Sequence, residues 1–350
     1  MKSFNVGNKK VGENEKVFII AEIGANHNGD FDLAKKSIEE AYKCGVDAVK
    51  FQTYTAKELL ADTDRIITWG KKGDEKQEKI SEMFDRISLK REWHKELFNY
   101  AKSLGLEVFS TPFSVDGVEF LENLNVPCYK VASSDVNYVD MLEVMAKKEK
   151  PIILSVGKST LREVDSAVDL LEINNCKELI IMHCVAQYPS PMDEMNLNVI
   201  KSLKLMYPDS IIGFSDHSIG TTSAIGAVVL GAKVVEKHFT IDKTLEGPDH
   251  WFSLDPKEMT QLVSEIRNIE IALGSSRKRV LECEKDERKK SIRSLVLKKD
   301  IKKGEIITEN HLAMLRPGYG ISPFDKHKVI GLKVAQDFPK NTVLKWEYLK

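Results

Sequence analysis

Ile211-Ile212-Gly213-Phe214-Ser215-Asp216-His217 and, shortly after it, Val234-Val235-Glu236-Lys237-His238-Phe239 decide the architecture. Each is a short apolar run that turns polar only at its C-terminal end, the end at which α/β barrels keep their chemistry. Each also carries a histidine there. Two imidazoles so placed have two readings: joint ligands of one divalent metal, or hydrogen-bonding caps on two strands. On these residues alone both stand.

Outward from this pair the same grammar repeats. Strands are predicted over Val17–Ile23, Ala48–Gln52, Glu107–Thr111, Cys128–Ala132, Ile152–Ser155 and Leu179–Cys184, ahead of Ile211–Ser215 and Val234–Phe239. They are Val/Ile-rich and apolar through their middles, as strands buried on both faces are. Helical patterns lie between them, over Phe31–Lys43, Glu78–Leu104, Val139–Lys147, Leu161–Leu171 and Pro256–Leu273. Eight strands alternating with helical connections give an α/β (β/α)8 TIM barrel. An open doubly wound sheet is the competitor, but no Gly-rich dinucleotide fingerprint follows the first strand. The polar insertion 53–78, with Trp69-Gly70-Lys71-Lys72-Gly73, is long enough for a lid or substrate loop.

The pattern breaks after Gly274. We expect a barrel over 1–276, a charged linker over 277–292 and a small β-rich domain over 293–350, where Gly and Pro turns separate short apolar runs. Phe324, Phe338 and Trp346 are expected to form that domain's core. With 42% hydrophobic and 30% charged residues the chain has an ordinary globular composition. A net charge of -1 argues against nucleic acid or an acidic membrane surface as partner. The five cysteines lack metal-type spacing, which predicts reduced thiols in a cytoplasmic protein. Neither a signal-peptide h-region nor a membrane-length apolar run is present in the sequence.

If the barrel closes, its strand ends converge on one mouth. They bring Glu22, Lys50, Gln52, Ser110, Thr111, Lys130, Ser133, Ser155, His183, Ser215, Asp216, His217, Glu236 and His238. Two lysines with several hydroxyls make an anion site, for phosphate or carboxylate. Burial without an anion would depress the lysine pKa values, so a strongly anionic ligand is expected. A Schiff-base role for either lysine is the alternative. An anion site, a metal that polarises a carbonyl and a free carboxylate together suit addition of an enol phosphate to an aldehyde.

Eight ordered motifs then carry a resemblance that covers nearly the whole chain. They are Ile20-Ala21-Glu22-Ile23-Gly24-Ala25-Asn26-His27-Asn28-Gly29, Val49-Lys50-Phe51-Gln52-Thr53, Ser110-Thr111-Pro112-Phe113 and Tyr129-Lys130-Val131-Ala132-Ser133. The others are Ile153-Leu154-Ser155-Val156-Gly157, Phe214-Ser215-Asp216-His217-Ser218, Glu236-Lys237-His238-Phe239-Thr240 and Gly247-Pro248-Asp249-His250. The chain resembles the sialic acid synthases and their relatives that make other nonulosonic acids, and its C-terminal part is similar to their SAF, or antifreeze-like, domain. The resemblance implies condensation of phosphoenolpyruvate with an open-chain N-acylated mannosamine-type sugar, giving a nine-carbon 2-keto acid and phosphate. It implies one divalent metal per barrel, manganese or magnesium, on His217 and His238. Lys50, Thr111, Lys130, Ser133, Ser155, Ser215 and the neighbouring Ser110 would bind phosphoenolpyruvate. Glu22, Gln52, Tyr188 and Asp249 would contact the sugar, with Arg316 arriving from the partner of a domain-swapped homodimer. Glu22 is the first choice of base and Asp135 the second.

Two departures weaken the substrate assignment rather than the reaction class. Asp135 stands where sialic acid synthases proper carry Glu, withdrawing the carboxylate by about one C–C bond. Ala186 stands where they often carry Asn, which is closer to the spore-coat polysaccharide branch; legionaminic or pseudaminic-type products are further alternatives. His27 and His250 are expected either to serve the site or to brace loops, His183 to be a rim hydrogen-bonding residue, and Trp69 to be a lid aromatic or simple packing. Two other classes stay open: a metal-dependent barrel lyase or aldolase, and a non-catalytic sugar-binding paralogue.

Overall fold

The computed structural model describes residues 3–61, 63–71 and 73–350. The chain divides after Gly274 into two compact units.

The first unit is built on eight parallel strands, numbered one to eight in chain order: Phe18–Glu22, Ala48–Thr53, Glu107–Pro112, Tyr129–Val131, Ile152–Ser155, Leu179–Cys184, Ile211–Asp216 and Val234–His238. Their spatial order is three-two-one-eight-seven-six-five-four. Strands three and four, at the two ends of this order, lie against each other, so the sheet is a nearly closed barrel. Every residue of the eight strands except the half-buried Gln52 is buried, which is why their sequences run apolar without alternation. Helices wrap the outside, set by local signals. Asp30 caps Phe31–Lys43 by accepting from the Leu33 amide, and Thr160 with Glu163 forms a capping box on Leu161–Ile173. Asp255-Pro256 opens Pro256–Leu273 in the same way, with Glu258 completing the box.

The continuous helix expected over 78–104 is instead two, Ile80–Ile87 and Arg91–Ser103. Their apolar faces belong to different cores. Met83 and Ile87 pack with Ala25 in a small cluster, whereas Leu97, Phe98 and Ala101 enter the barrel core. Extended backbone at Ser88 and Lys90 turns the chain between them, with Leu89 buried at the break.

The 53–78 insertion holds a short helix, Ala56–Leu59, and an antiparallel hairpin, Ile66–Trp69 with Lys76–Lys79. Its residues Asp62 and Lys72 lie outside the described ones. Trp69 donates its indole N–H to Glu78, sits under Lys76 and Arg86, and packs against the Ala25 cluster. Lys76 also pairs with Glu246 in the loop after strand eight, 2.5 Å away.

The polar N-terminal stretch, over which no strand is predicted, forms a hairpin, Ser3–Val6 with Lys9–Gly12. Only Val6 and Val11 join the barrel core, too few apolar positions to mark strands in the sequence. At its turn Gly7 has φ of 62°, and the Asn8 amide donates to Glu107 at the N-terminal end of strand three. A Cβ on Gly7 would lie 1.9 Å from the Glu107 carboxylate. Gly7→Ala therefore combines positive-φ strain with a steric clash, and should cost about 1–3 kcal/mol in denaturant unfolding.

In the second unit Ser294–Leu297 pairs with Leu312–Leu315, and isolated bridges such as Val296 with Val343 and Ile301 with Phe338 close the remaining chain around Leu295, Leu297, Ile307 and Leu344. Of the aromatics assigned to its core, only Phe338 is buried. Phe324 is 92% exposed and Trp346 49%; aliphatic residues fill the interior instead. A helix, Lys285–Ser291, lies in this unit ahead of Ser294–Leu297 and is almost wholly exposed.

Candidate active site

Side chains alternate across a strand, and that parity decides which polar residues enter the barrel mouth. Glu22, Lys50, Gln52, Thr111, Lys130, Ser155, Cys184, Ser215, His217, Glu236 and His238 line one cavity at the C-terminal strand ends, joined by Ser133 and Tyr188 from the following loops. Residues of the opposite parity go elsewhere. Lys237 pairs with Asp216 at 2.9 Å in a buried ion pair behind strands seven and eight. The His183 ring donates to the Met195 carbonyl, 2.8 Å away, as a rim hydrogen bond.

Ser110 is a correction on the same ground. Its hydroxyl is 2.7 Å from that of Thr53, which in turn meets His94 at 2.8 Å, and it does not line the cavity. Thr111, the next residue, takes the inward position. Asp135 also does not line the cavity. It lies in the short turn Ser133–Asp135 after strand four, where burial pushes its carboxyl up to about 6. Of the two proposed bases, only Glu22 is in the cavity.

Lys50 is bound by Glu22 at 2.8 Å and by the Thr111 hydroxyl at 2.9 Å, and Glu236 lies 3.7 Å away. Lys130 donates to Ser155 at 2.7 Å and to the Val131 carbonyl at 3.0 Å, with Glu236 at 4.0 Å. The lysines are thus not the uncompensated cations that the strand-end inventory implied. Two buried carboxylates balance them. Burial works against Lys50, but Glu22 and Glu236 hold it above its ordinary value; Lys130, with weaker partners, is lowered by burial. Burial, with Glu236 adding to it, raises Glu22 to about 7 against the pull of Lys50. The Gln52 amide donates to Glu22 at 2.9 Å.

Glu236 is the functional residue that sequence reasoning left without a role. One of its oxygens accepts from Ser215 at 3.2 Å and faces both lysines, while the other is buried without a hydrogen-bond partner. The signal was its spacing, two residues before His238 and so on the same strand face. Lys158, Ser134, Phe113 and Cys184 also line the cavity. Lys158 follows Gly157 with φ of 61°, a loop conformation that strand and helix periodicity does not reveal.

The two imidazoles lie side by side, ring centroids 5.2 Å apart, with Tyr188 edge-on to His217 at 4.4 Å. Burial pushes His217 down to about 3 and His238 well below its ordinary value, so both rings are neutral. His217 Nδ1 is 3.6 Å from Cys184 Sγ, and His238 Nδ1 is 3.5 Å from Asp249. Asp249 is therefore set against a histidine rather than on the cavity lining, and burial raises its carboxyl to about 7. Among the described residues, no three His, Cys, Asp or Glu side chains form an ion-holding group. His27 accepts from the Gly29 amide and His250 contacts Thr240, so both brace the loops after strands one and eight. Arg316 belongs to the second unit and is exposed there, just after Leu312–Leu315.

Comparison with known proteins gives this geometry a context. An N,N'-diacetyllegionaminic acid synthase of Campylobacter jejuni is 38% identical over 95% of this chain and 99% of its own. A pseudaminic acid synthase of Helicobacter pylori is likewise 38% identical, over 93% of this chain and 96% of its own. The crystal structure of an N-acetylneuraminic acid synthetase from Leptospira borgpetersenii superposes with a TM-score of 0.73 at 33% identity, covering 82% of this chain and 95% of that one. The SAF domain model matches residues 292–350. The NeuB family model matches residues 37–278, across most of the barrel, and the chain belongs to the NeuB family.

Proposed function

We propose that the protein condenses phosphoenolpyruvate with an N-acylated mannosamine-type aldose, releasing phosphate and a nonulosonic 2-keto acid. The observation that carries this reading is the juxtaposition, in one cavity, of a lysine-and-hydroxyl cradle with two neutral imidazoles. Lys50, Lys130, Thr111, Ser133, Ser155 and Ser215 hold the phosphate and carboxylate of phosphoenolpyruvate. Gln52 and Tyr188 face the sugar, and Asp249 stands beside His238. The enol carbon attacks the aldehyde carbon, forming the C–C bond, and positive charge develops at the central carbon of the former enol. Glu22 removes a proton from the water that adds there, and the tetrahedral adduct expels phosphate. The carboxylates of Glu22 and Glu236 stabilise the developing cation before water arrives.

His217 and His238 fit a divalent ion: both are neutral, both are buried, and each has its Nδ1 turned toward a neighbouring side chain. His217 and His238 would hold manganese or magnesium, which would supply Lewis-acid polarisation of the aldehyde.

The equal identity to legionaminic and pseudaminic acid synthases makes the acceptor a question for a panel. Phosphate release from phosphoenolpyruvate, with added manganese, should require one N-acylated amino sugar among N-acetylmannosamine, its 6-phosphate and 2,4-diacetamido-trideoxyhexoses. The product mass should equal phosphoenolpyruvate plus sugar plus water minus phosphate. No phosphate with any aldose, but cleavage of a phosphorylated keto acid, would overturn the synthase reading in favour of a lyase.

We further assign catalysis to 1–276, with 277–292 as linker and the SAF domain, 293–350, lending Arg316 to the barrel mouth of a second copy in a homodimer. The exposure of Arg316 supports this. Coexpressed Arg316→Ala and His238→Ala chains, each inactive alone, should recover roughly a quarter of wild-type activity, since half the dimers are mixed and each mixed dimer has one intact site. No recovery would sink the swap. The five unpaired thiols suit a cytoplasmic enzyme.

A further inference from the structure

Each imidazole in the cavity has its Nδ1 near a neighbouring side chain, but the two neighbours differ in kind, and His238 Nδ1 has no hydrogen-bond partner. His238 meets a carboxylate, that of Asp249. His217 meets a thiol, that of Cys184, at 3.6 Å. Cys184 ends strand six, is 6% exposed, and lines the cavity with its sulfur among Ser133, Ser215 and His217. Nothing in the proposed reaction uses it.

The tautomer of His217 gives the contact a consequence. A histidine that binds a metal through one ring nitrogen needs that nitrogen unprotonated, so the other must carry the hydrogen. A neutral ring can hold the hydrogen on either nitrogen. An acceptor fixed beside Nδ1 draws it there and leaves Nε2 with its lone pair. Cys184 Sγ lies within reach of Nδ1 to serve as that acceptor, with the Ser133 and Ser215 hydroxyls beside the same sulfur. Partners of this second kind around metal-binding histidines set both ring orientation and tautomer.

The slot that holds the sulfur is independently built. Gly157, in the loop after strand five, has no side chain, and a Cβ there would lie 3.1 Å from Cys184 Sγ and 2.9 Å from Ser133 Oγ. Its φ is not in the left-handed region, so conformation does not demand glycine at this position. Space for the thiol and the Ser133 hydroxyl does. The Gly157 amide also donates to Ser133 Oγ at 2.9 Å, which holds that hydroxyl beside the sulfur.

We propose that Cys184 is a positioning residue for His217: its sulfur accepts the Nδ1 hydrogen and so presents Nε2 to the divalent ion. This rests on the assignment of His217 and His238 as the metal-binding pair. Mn2+ binding to the metal-freed full-length protein, followed by the paramagnetic resonance signal of unbound Mn2+, tests it without turnover. Wild type should bind and His217→Ala should not. Cys184→Ala should bind about 10–100-fold more weakly. Cys184→Ser, whose hydroxyl also accepts from Nδ1, should recover part of the loss, which simple packing would not produce. Wild-type Mn2+ affinity in folded Cys184→Ala would overturn the proposal while leaving the metal pair standing. Should Cys184→Ala not fold, Gly157→Ala decides: it must weaken Mn2+ binding by displacing the sulfur, and unchanged affinity refutes the role. Absence of Mn2+ binding by wild type would instead overturn the assignment of the two histidines, and the role of Cys184 with it.

Discussion

His238→Ala is expected to abolish turnover while leaving the barrel folded, and His217→Ala to do the same. The rings sit at the open ends of strands seven and eight, where truncation gives up ring contacts with Tyr188 and Phe252 but leaves the apolar strand interiors intact. The stability change should stay within about 1–2 kcal/mol, because a depressed pKa means that each ring is already neutral and loses no ion pair on removal. Activity has no such reserve. If the proposed metal sits on these two rings, loss of one would leave it on a single imidazole, and Lewis-acid stabilisation worth several kcal/mol corresponds to about 1000-fold or more in rate. Phosphate release measured at rising manganese separates two outcomes. Rates that stay at background at every concentration fit loss of the site. Wild-type rates in a chelator-treated variant would show that the histidines are strand caps after all, and the metal assignment would fall.

That the histidines could be placed from sequence, and the balance of charge around them could not, has a physical reason. A fully buried parallel strand announces itself as an unbroken apolar run, and its last polar residues must lie at the mouth. Strand ends and their chemistry are therefore local properties, readable one strand at a time. Pairing is not local. Lys50 meets Glu22 from strand one and approaches Glu236 from strand eight, so its partners are fixed by barrel closure. Ser110 failed for a simpler reason: two adjacent hydroxyl residues end strand three, and without the register either parity is equally good. The N-terminal hairpin and the break at Leu89 were hidden because each depends on which core a face joins. Asp249 and Cys184 were quoted as a motif residue and a scattered thiol, and neither description contains the histidine that each one touches.

Lys50→Met should cost the protein both its activity and much of its stability, and the two losses can be pulled apart. In the folded chain Lys50 is 4% exposed and lies between two carboxylates that are equally hidden, Glu22 at 1% and Glu236 at 4%. Methionine fills a similar volume but carries no charge. Removing one member of a buried charge cluster leaves the others unpaired, and such losses run to about 3–5 kcal/mol. Adding Glu22→Gln removes one of the stranded carboxylates, and the amide can still pair with Gln52. The double variant should therefore regain part of the stability in urea titration, by a coupling energy of about 1–3 kcal/mol. It should regain no activity, because the cation proposed to hold phosphoenolpyruvate and the base proposed for water are both gone. A single variant as stable as wild type would mean that water already screens the cluster, and the argument from buried charge would fail. A double variant with restored turnover would move phosphoenolpyruvate off Lys50 and the proton off Glu22, leaving Lys130 and Glu236 as the working pair.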